Sequence, residues 1–137
     1  LWINGKLMGE IGCWAAITGH YGVPCVLMSG CDKACAEAAS LVPGIETVVT
    51  KQGLSRYSAV LESAEKVQQM IRERAEVAVR KAEAIAPYHV GTPVELRVEY
   101  NNTGQADAVR LFPGRERIDA RTIAYRGPNI VEAFRLL

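Results

Sequence analysis

Residues 23–50, VPCVLMSGCDKACAEAASLVPGIETVVT, decide the fold class of this chain. The short apolar run at residues 23–28 is typical of a strand that is covered on both faces. Asp32 is expected to be the N-cap of a helix over residues 33–41, and residues 45–50 are expected to form the next strand. A strand, a helix and a strand in this order make a βαβ unit, whose right-handed crossover makes the two strands parallel. The sequence therefore predicts an α/β fold.

Downstream, the sequence predicts a long amphipathic helix. Residues 51–58 are polar and are expected to form a loop, and the helix covers residues 63–86, up to Pro87. Its apolar positions recur at steps of three and four, and its other face is charged. These apolar positions are Ala64, Val67, Ile71, Ala75, Ala78, Ala82 and Ile85. A coiled-coil partner is one interpretation, but small alanine side chains favour a surface helix packed on its own sheet.

The last third of the chain predicts further strands and helices. Apolar and charged residues alternate over residues 94–100, which is typical of a half-exposed strand. This pattern places Glu95 and Glu99 on the solvent face, outside any catalytic role. After a turn and a short helix, a last strand is expected over residues 117–125. A terminal helix then begins with Pro128 in its first turn, the position that proline favours.

Upstream, Gly9-Glu10-Ile11-Gly12 places a carboxylate between two glycines where an extended segment becomes a helix. Residues 1–4 are expected to form a strand, and Asn4-Gly5 is a strong tight-turn dipeptide. Residues 11–21 are apolar and small enough for a buried helix, so Glu10 falls in the first turn. Free backbone N–H groups and the helix dipole favour an ionised carboxylate there. From the residues themselves, Glu10 either only stabilises its helix or serves a functional site.

Composition excludes several classes of protein. The 137 residues suffice for one domain with a real core, and 49% apolar and 23% charged residues are ordinary for a globular protein. Sixteen basic and fifteen acidic residues give a net charge of +1, which offers no electrostatic case for nucleic acid or an anionic membrane. No apolar run approaches the roughly 20 residues of a transmembrane helix, and no signal peptide is visible. Both ends look cut, so we expect a piece of a longer, cytoplasmic protein.

The four cysteines, Cys13, Cys25, Cys31 and Cys35, lie in the first third of the chain. A zinc site is one interpretation, but no CxxC pair exists, and Cys13 and Cys25 fall within apolar segments. Reduced, buried thiols in a cytosolic protein are the better account, because a free cysteine packs like a small apolar residue.

Other common site patterns are missing from the sequence. His20 and His89 belong to no ligand pattern, so a structural or surface role is expected for each. The glycine-rich motifs of dinucleotide and phosphate sites are absent, which disfavours a nucleotide-binding domain. The GxSxG motif is absent as well, which leaves a hydrolase with a serine on a nucleophile elbow unsupported.

Several short motifs follow one another in order along the chain. Residues 1–12, LWINGKLMGEIG, form a strand, a turn and a "GE-x-G" segment. Residues 19–32, GHYGVPCVLMSGCD, are similar to the pattern "GYxxVPVxxxxGDD", and residues 41–56, LVPGIETVVTKQGLSR, to "LxPxVxTxxVKxxxSR". Closing matches are Asn102, Gly104-Gln105-Ala106, Pro113-Gly114 and Glu132-Ala133-Phe134. In this order, and over essentially the whole chain, the motifs resemble those of the zinc-dependent D-aminopeptidase family.

The resemblance implies a two-domain α/β subunit, assembled into a decameric ring, with a pair of zinc ions in each subunit. It implies that Glu10, the glutamate of "GE-x-G", is a zinc ligand, and an ionised carboxylate at a fixed helix start suits that role. The family's other ligands, an Asp-x-Glu and two histidines, and its catalytic histidine lie upstream, so no catalytic residue is expected here. Residues 1–60 would complete the metal-binding domain, and residues 61–137 would form the C-terminal portion.

The chain departs from the family pattern at two places. The family often has Asn two residues after "GE-x-G", where this chain has Trp14, so a hydrogen bond from that Asn is expected to be lost. The first Asp of "GDD" is Cys31 here, while Asp32 is retained. Because a thiol cannot replace a carboxylate as an acceptor, substrate preference or activity is expected to differ.

The resemblance thus implies a parent protein that is a two-zinc aminopeptidase, which removes N-terminal D-amino acids from short peptides. This chain is expected to be inactive by itself and to come from a homo-oligomer. An alternative from another class is a non-catalytic, oligomerising α/β module that retained the fold. An intact Asp-x-Glu and two histidines upstream would favour the enzyme.

Overall fold

The computed structural model describes residues 1–137 and has the α/β fold that the sequence predicts. Contacts divide the chain into two units: unit 1 consists of Leu1–His20 and His89–Leu137, and unit 2 of Tyr21–Tyr88. The predicted division at residue 60 coincides with neither limit of unit 2, and the assignment of residues 1–60 to a metal-binding domain stays a prediction. The structure contains no helix with the length and apolar character needed to cross a membrane.

Eight strands and five α-helices make up the two units. In chain order they are β1 (Trp2–Ile3), β2 (Lys6–Leu7), α1 (Glu10–His20), β3 (Leu27–Cys31), α2 (Asp32–Leu41), β4 (Glu46–Ser55), β5 (Ser58–Leu61), α3 (Ala64–Arg80), β6 (Val94–Glu99), α4 (Thr103–Asp107), β7 (Arg115–Arg117), β8 (Thr122–Gly127) and α5 (Ile130–Phe134). A short 3₁₀ helix, Ala82–Ala84, follows α3.

Unit 2 contains the predicted βαβ unit. Strands β3 and β4 pair in parallel and α2 connects them, which confirms the prediction. The first strand begins at Leu27, opposite Glu46, rather than at residue 23. Asp32 is the first residue of α2 and not its N-cap, a position that Cys31 occupies. Its carboxylate instead contacts the Lys33 ammonium group and the backbone N–H of Gly53.

The prediction of a loop at residues 51–58 is wrong, because these residues belong mostly to two strands. Strand β4 continues to Ser55, and β5 returns antiparallel to it, with Gln52 opposite Val60 and Lys51 opposite Leu61. Most side chains of this ribbon are exposed, so polar residues occur in it without an irregular backbone.

Helix α3 packs on its own sheet, as predicted, since it contacts both β3 and β4. The Ser63 hydroxyl caps its start by accepting a hydrogen bond from the backbone N–H of Lys66 at 3.3 Å. The helix ends at Arg80 rather than at residue 86, and the 3₁₀ turn at Ala82–Ala84 follows it.

One buried carboxylate links β4 to α3. The Glu46 side chain is 11% exposed, and its Oε1 lies 2.5 Å from Lys81 Nζ while its Oε2 lies 3.1 Å from Arg74 Nη1. The hydrogen bond from Lys81 is the main cause that lowers the pKa of Glu46, and Arg74 adds to it. The ionised carboxylate therefore stabilises unit 2.

We expect Glu46→Gln to lower the thermal midpoint of unit 2 by several degrees at pH 7. Because the folded carboxyl has the lower pKa, its stabilisation is present above the unfolded pKa, about 4.3. It is lost as the pH falls through the lower folded pKa, so the difference in midpoint between wild type and variant should shrink in acid. Midpoints measured by circular dichroism at pH 7 and over a series of decreasing pH values check this. Glu62→Gln, which breaks the exposed Glu62–Lys66 pair, serves as the control and should change little.

Unit 1 contains a five-stranded antiparallel sheet in the order β2-β1-β6-β8-β7. Its fully buried large side chains are Ile3, Val94, Leu96, Ile123 and Tyr125. Helix α5 packs on β6 and β8, and α1 contacts α5. The predicted Asn4-Gly5 turn is confirmed, with φ of 49° and 81° in the left-handed region that these two residues tolerate best.

Two predictions in unit 1 need correction. The strand expected over residues 117–125 is two strands, β7 and β8, joined by a turn in which Asp119 accepts backbone hydrogen bonds from Arg121 and Thr122. The last helix begins at Ile130, with Asn129 as its N-cap, so Pro128 precedes the helix instead of opening it. The helix ends at Phe134, before the last residues of the chain.

The alternation along β6 is as predicted, although its two glutamates differ. Glu99 is exposed and pairs with Arg121. Glu95 is only 23% exposed and pairs with Arg97 and Arg126. Both carboxylates are thus engaged in ion pairs on one face of the sheet.

Candidate functional site

Glu10 is the first residue of α1, as the sequence predicts. The turn at Asn4-Gly5 returns the chain alongside β1, and the backbone N–H of Met8 donates to the carbonyl of Leu1 at 2.9 Å. The buried Gly12 then allows the first helical turn to lie against Met8, because a Cβ at residue 12 would come within 2.9 Å of the Met8 sulfur. The close contact with Met8 therefore explains why the second residue of the "GE-x-G" glycine pair, Gly12, has no side chain.

The Glu10 carboxylate is exposed and forms no ion pair with a basic side chain. Its Oε1 accepts a hydrogen bond from Trp14 Nε1 at 3.4 Å, which leaves Oε2 without a hydrogen bond from the protein. The free N–H groups and the helix dipole at a helix start favour negative charge. Glu10 can therefore offer an anionic oxygen to a cation without first breaking a salt bridge.

Trp14 supplies the hydrogen-bond donor that was expected to be lost at this position. It lies one helical turn after Glu10, so the two side chains share a face of α1. The indole is 52% exposed, and its ring contacts Phe134 of α5, with centroids 6.1 Å apart and planes at 50°. The signal for this hydrogen bond in the sequence is the four-residue spacing of Glu10 and Trp14.

Asp32 retains a defined role at the start of α2. Its Oδ2 lies 2.6 Å from Lys33 Nζ, and its Oδ1 accepts a hydrogen bond from the backbone N–H of Gly53 at 3.0 Å. The hydrogen bond from Lys33 is the largest cause that lowers the pKa of Asp32 to about 2, followed by that from Gly53. Asp32 is therefore ionised at neutral pH and holds β4 beside the helix start.

The four cysteines are free thiols. Cys13 and Cys35 are buried, as predicted, whereas Cys25 and Cys31 are partly exposed. The Cys35 thiol donates to the carbonyl of Val48 at 3.4 Å, and burial raises its pKa. Cys35 is thus a buried, protonated packing residue.

The fold brings His20 and His89 to one cavity of about 120 Å³ within unit 1, which Ala16, Thr92 and Ile130 also line. No local sequence signal could have joined them, because a whole unit of the chain lies between them. Nowhere does the structure gather three His, Cys, Asp or Glu side chains that could hold a metal ion. Zinc in proteins usually has three or four protein ligands, so this chain does not hold a complete zinc site by itself.

Comparisons with known proteins agree with the sequence motifs. The family model described as D-aminopeptidase matches residues 1–137. The D-aminopeptidase of Bacillus subtilis (strain 168) is 29% identical over 137 residues, which are 99% of this chain and 50% of that protein. The solved structure of the Zn-dependent D-aminopeptidase DppA from Bacillus subtilis, described as a self-compartmentalizing protease, matches with a TM-score of 0.92 and 29% identity. That match covers 98% of this chain and 50% of the other.

The chain thus spans about half the length of the relatives that it matches. Within that half, the agreement covers the fold. The chain belongs to the D-aminopeptidase family.

Proposed function

We propose that this chain is part of a zinc aminopeptidase that removes N-terminal D-amino acids from short peptides by hydrolysis. We also propose that Glu10 is one of its metal ligands. The family match supports the activity, and the Zn-dependent relative supports the metal. The observation that carries the ligand assignment is the Glu10 carboxylate itself. It lies at a helix start, without a basic partner and with Oε2 free of protein hydrogen bonds.

In this proposal the chain holds part of the metal site and does not complete it. Bound zinc would supply Lewis acidity toward the peptide carbonyl and toward a water molecule. Glu10 would contribute negative charge and one oxygen ligand from a rigid helix start. By family resemblance, the remaining ligands of two zinc ions and the catalytic histidine would come from a segment upstream of this one.

Assembly and location belong to the same proposal. The relative described as self-compartmentalizing supports a homo-oligomer, for which the family resemblance implies a decameric ring. The four free thiols are compatible with a reducing compartment, so we place the parent protein in the cytoplasm.

The 137-residue chain by itself is expected to retain no zinc and to hydrolyse no peptide, because a single carboxylate binds zinc weakly. The test is dialysis against a weak chelator, followed by metal analysis by mass spectrometry and an assay with a D-alanyl peptide. The complete protein, treated in the same way, should keep its zinc and its activity. Stoichiometric zinc on the isolated chain would contradict the expectation and point to the cysteines as ligands. A complete protein without activity would favour the non-catalytic module.

A further inference from the structure

Glu10 has a hydrogen-bond partner that is itself fixed by another helix. Trp14 Nε1 lies 3.4 Å from Glu10 Oε1, and the Trp14 ring contacts the ring of Phe134. Phe134 ends α5, which packs on β6 and β8 of the unit 1 sheet. A contact path therefore runs from the sheet through α5 and the indole to the carboxylate.

This path limits the freedom of an otherwise mobile side chain. An exposed glutamate has three rotatable side-chain bonds, and ordering it on binding a ligand costs free energy. The indole N–H occupies Oε1 and leaves Oε2 open, so the carboxylate is held with one defined oxygen available. Hydrogen bonds to metal-ligating groups commonly orient them in this way, and losing one costs about 10- to 100-fold in affinity or activity.

We infer that Trp14 is a positioning residue for Glu10: its indole N–H holds one carboxylate oxygen and presents the other to the zinc ion. The inference rests on the proposed function, because it takes Glu10 as a zinc ligand. Trp14 touches neither substrate nor metal in this role. Its contribution is to the affinity of the site for zinc.

Two substitutions in the complete protein separate the N–H donor from the aromatic ring. Trp14→Phe keeps a ring against Phe134 and removes the donor. Trp14→Gln removes the ring and keeps an amide N–H that can reach Glu10 one turn away. Zinc affinity, measured by competition with a chromophoric chelator, should fall about tenfold in Trp14→Phe and be largely restored in Trp14→Gln. A residue that serves only in packing would give the opposite order.

The Glu10→Gln background provides the control for coupling. If Trp14 acts through the carboxylate, Trp14→Phe should weaken zinc binding no further once Glu10 is replaced. Circular dichroism and thermal midpoints establish that each variant is folded, and Phe134→Leu, which leaves the donor in place, should have the smaller effect on zinc affinity.

The outcomes separate this inference from the proposed function. Normal zinc affinity in Trp14→Phe, with loss of zinc in Glu10→Gln, would overturn the role of Trp14 and leave Glu10 as a ligand. Equal losses in Trp14→Phe and Trp14→Gln, or an unchanged effect of Trp14→Phe in the Glu10→Gln background, would also overturn it. Normal zinc binding in Glu10→Gln would overturn both the ligand assignment and the inference.

Discussion

Glu10→Gln in the complete protein is expected to lower the hydrolysis of a D-alanyl peptide by about three orders of magnitude, together with the loss of at least one zinc ion per subunit. The amide nearly preserves the side-chain volume but carries no charge, and it is a far poorer zinc ligand than a carboxylate. The fold should persist, because the lost interaction with the helix dipole contributes no more than about 1 kcal/mol. Metal content by mass spectrometry, the hydrolysis rate and circular dichroism measure the three effects.

The matched control is Glu65→Gln. Glu65 is also an exposed carboxylate in the first turn of a helix, α3, so its replacement removes a similar dipole interaction. Zinc content and turnover should be unchanged in this variant. A Glu10→Gln protein with full zinc and a near-normal rate would reduce Glu10 to a helix-terminus carboxylate, and the site assignment would fail.

Gly127→Ala is expected to have the largest effect on stability. Gly127 ends β8, and a Cβ there would lie 2.4 Å from the backbone N of Ala133 and 2.9 Å from its Cα. Because these atoms belong to the backbone of α5, the helix itself would have to move. Overpacking typically costs about 1–3 kcal/mol. A clash of the new Cβ with the backbone of α5 should cost about 3 kcal/mol or more.

Urea denaturation of the complete protein, followed by circular dichroism, measures this loss. Gly91→Ala is the control, since the nearest atom to a Cβ at that position is Asn4 Nδ2 at 3.8 Å, an ordinary contact. Its effect should stay within about 0.5 kcal/mol. A Gly127→Ala protein as stable as wild type would mean that α5 lies farther from β8 than the structure indicates.

The elements that were predicted correctly each have their signal in a short run of neighbouring residues. The parallel pair β3–β4, the turn at Asn4-Gly5 and the helix start at Glu10 all follow from short runs with a clear physical cause. Boundaries were less predictable. Residues 23–26 are as apolar as a strand but precede the register that begins with Leu27 opposite Glu46, and apolar character by itself does not distinguish the two situations.

The ribbon of β4 and β5 and the partners of the site residues were not predictable in the same way. Residues 51–58 are mostly polar and exposed, so their composition resembles that of a loop. The contact between Trp14 and Phe134 joins residues far apart in the sequence. The Trp14–Glu10 hydrogen bond, in contrast, has a spacing of one helical turn, and the sequence holds that signal once the indole is considered as a donor.

The discontinuity of unit 1 has a consequence for biosynthesis. Strand β1 pairs with β6, but the ribosome must first produce all of Tyr21–Tyr88. At about 5–20 residues per second, this delay lasts several seconds. Unit 2 is contiguous, so we expect it to fold on the nascent chain first. During that interval α5, the helix that α1 contacts in unit 1, has not yet been made, so we expect the apolar residues of α1 to stay exposed to chaperones.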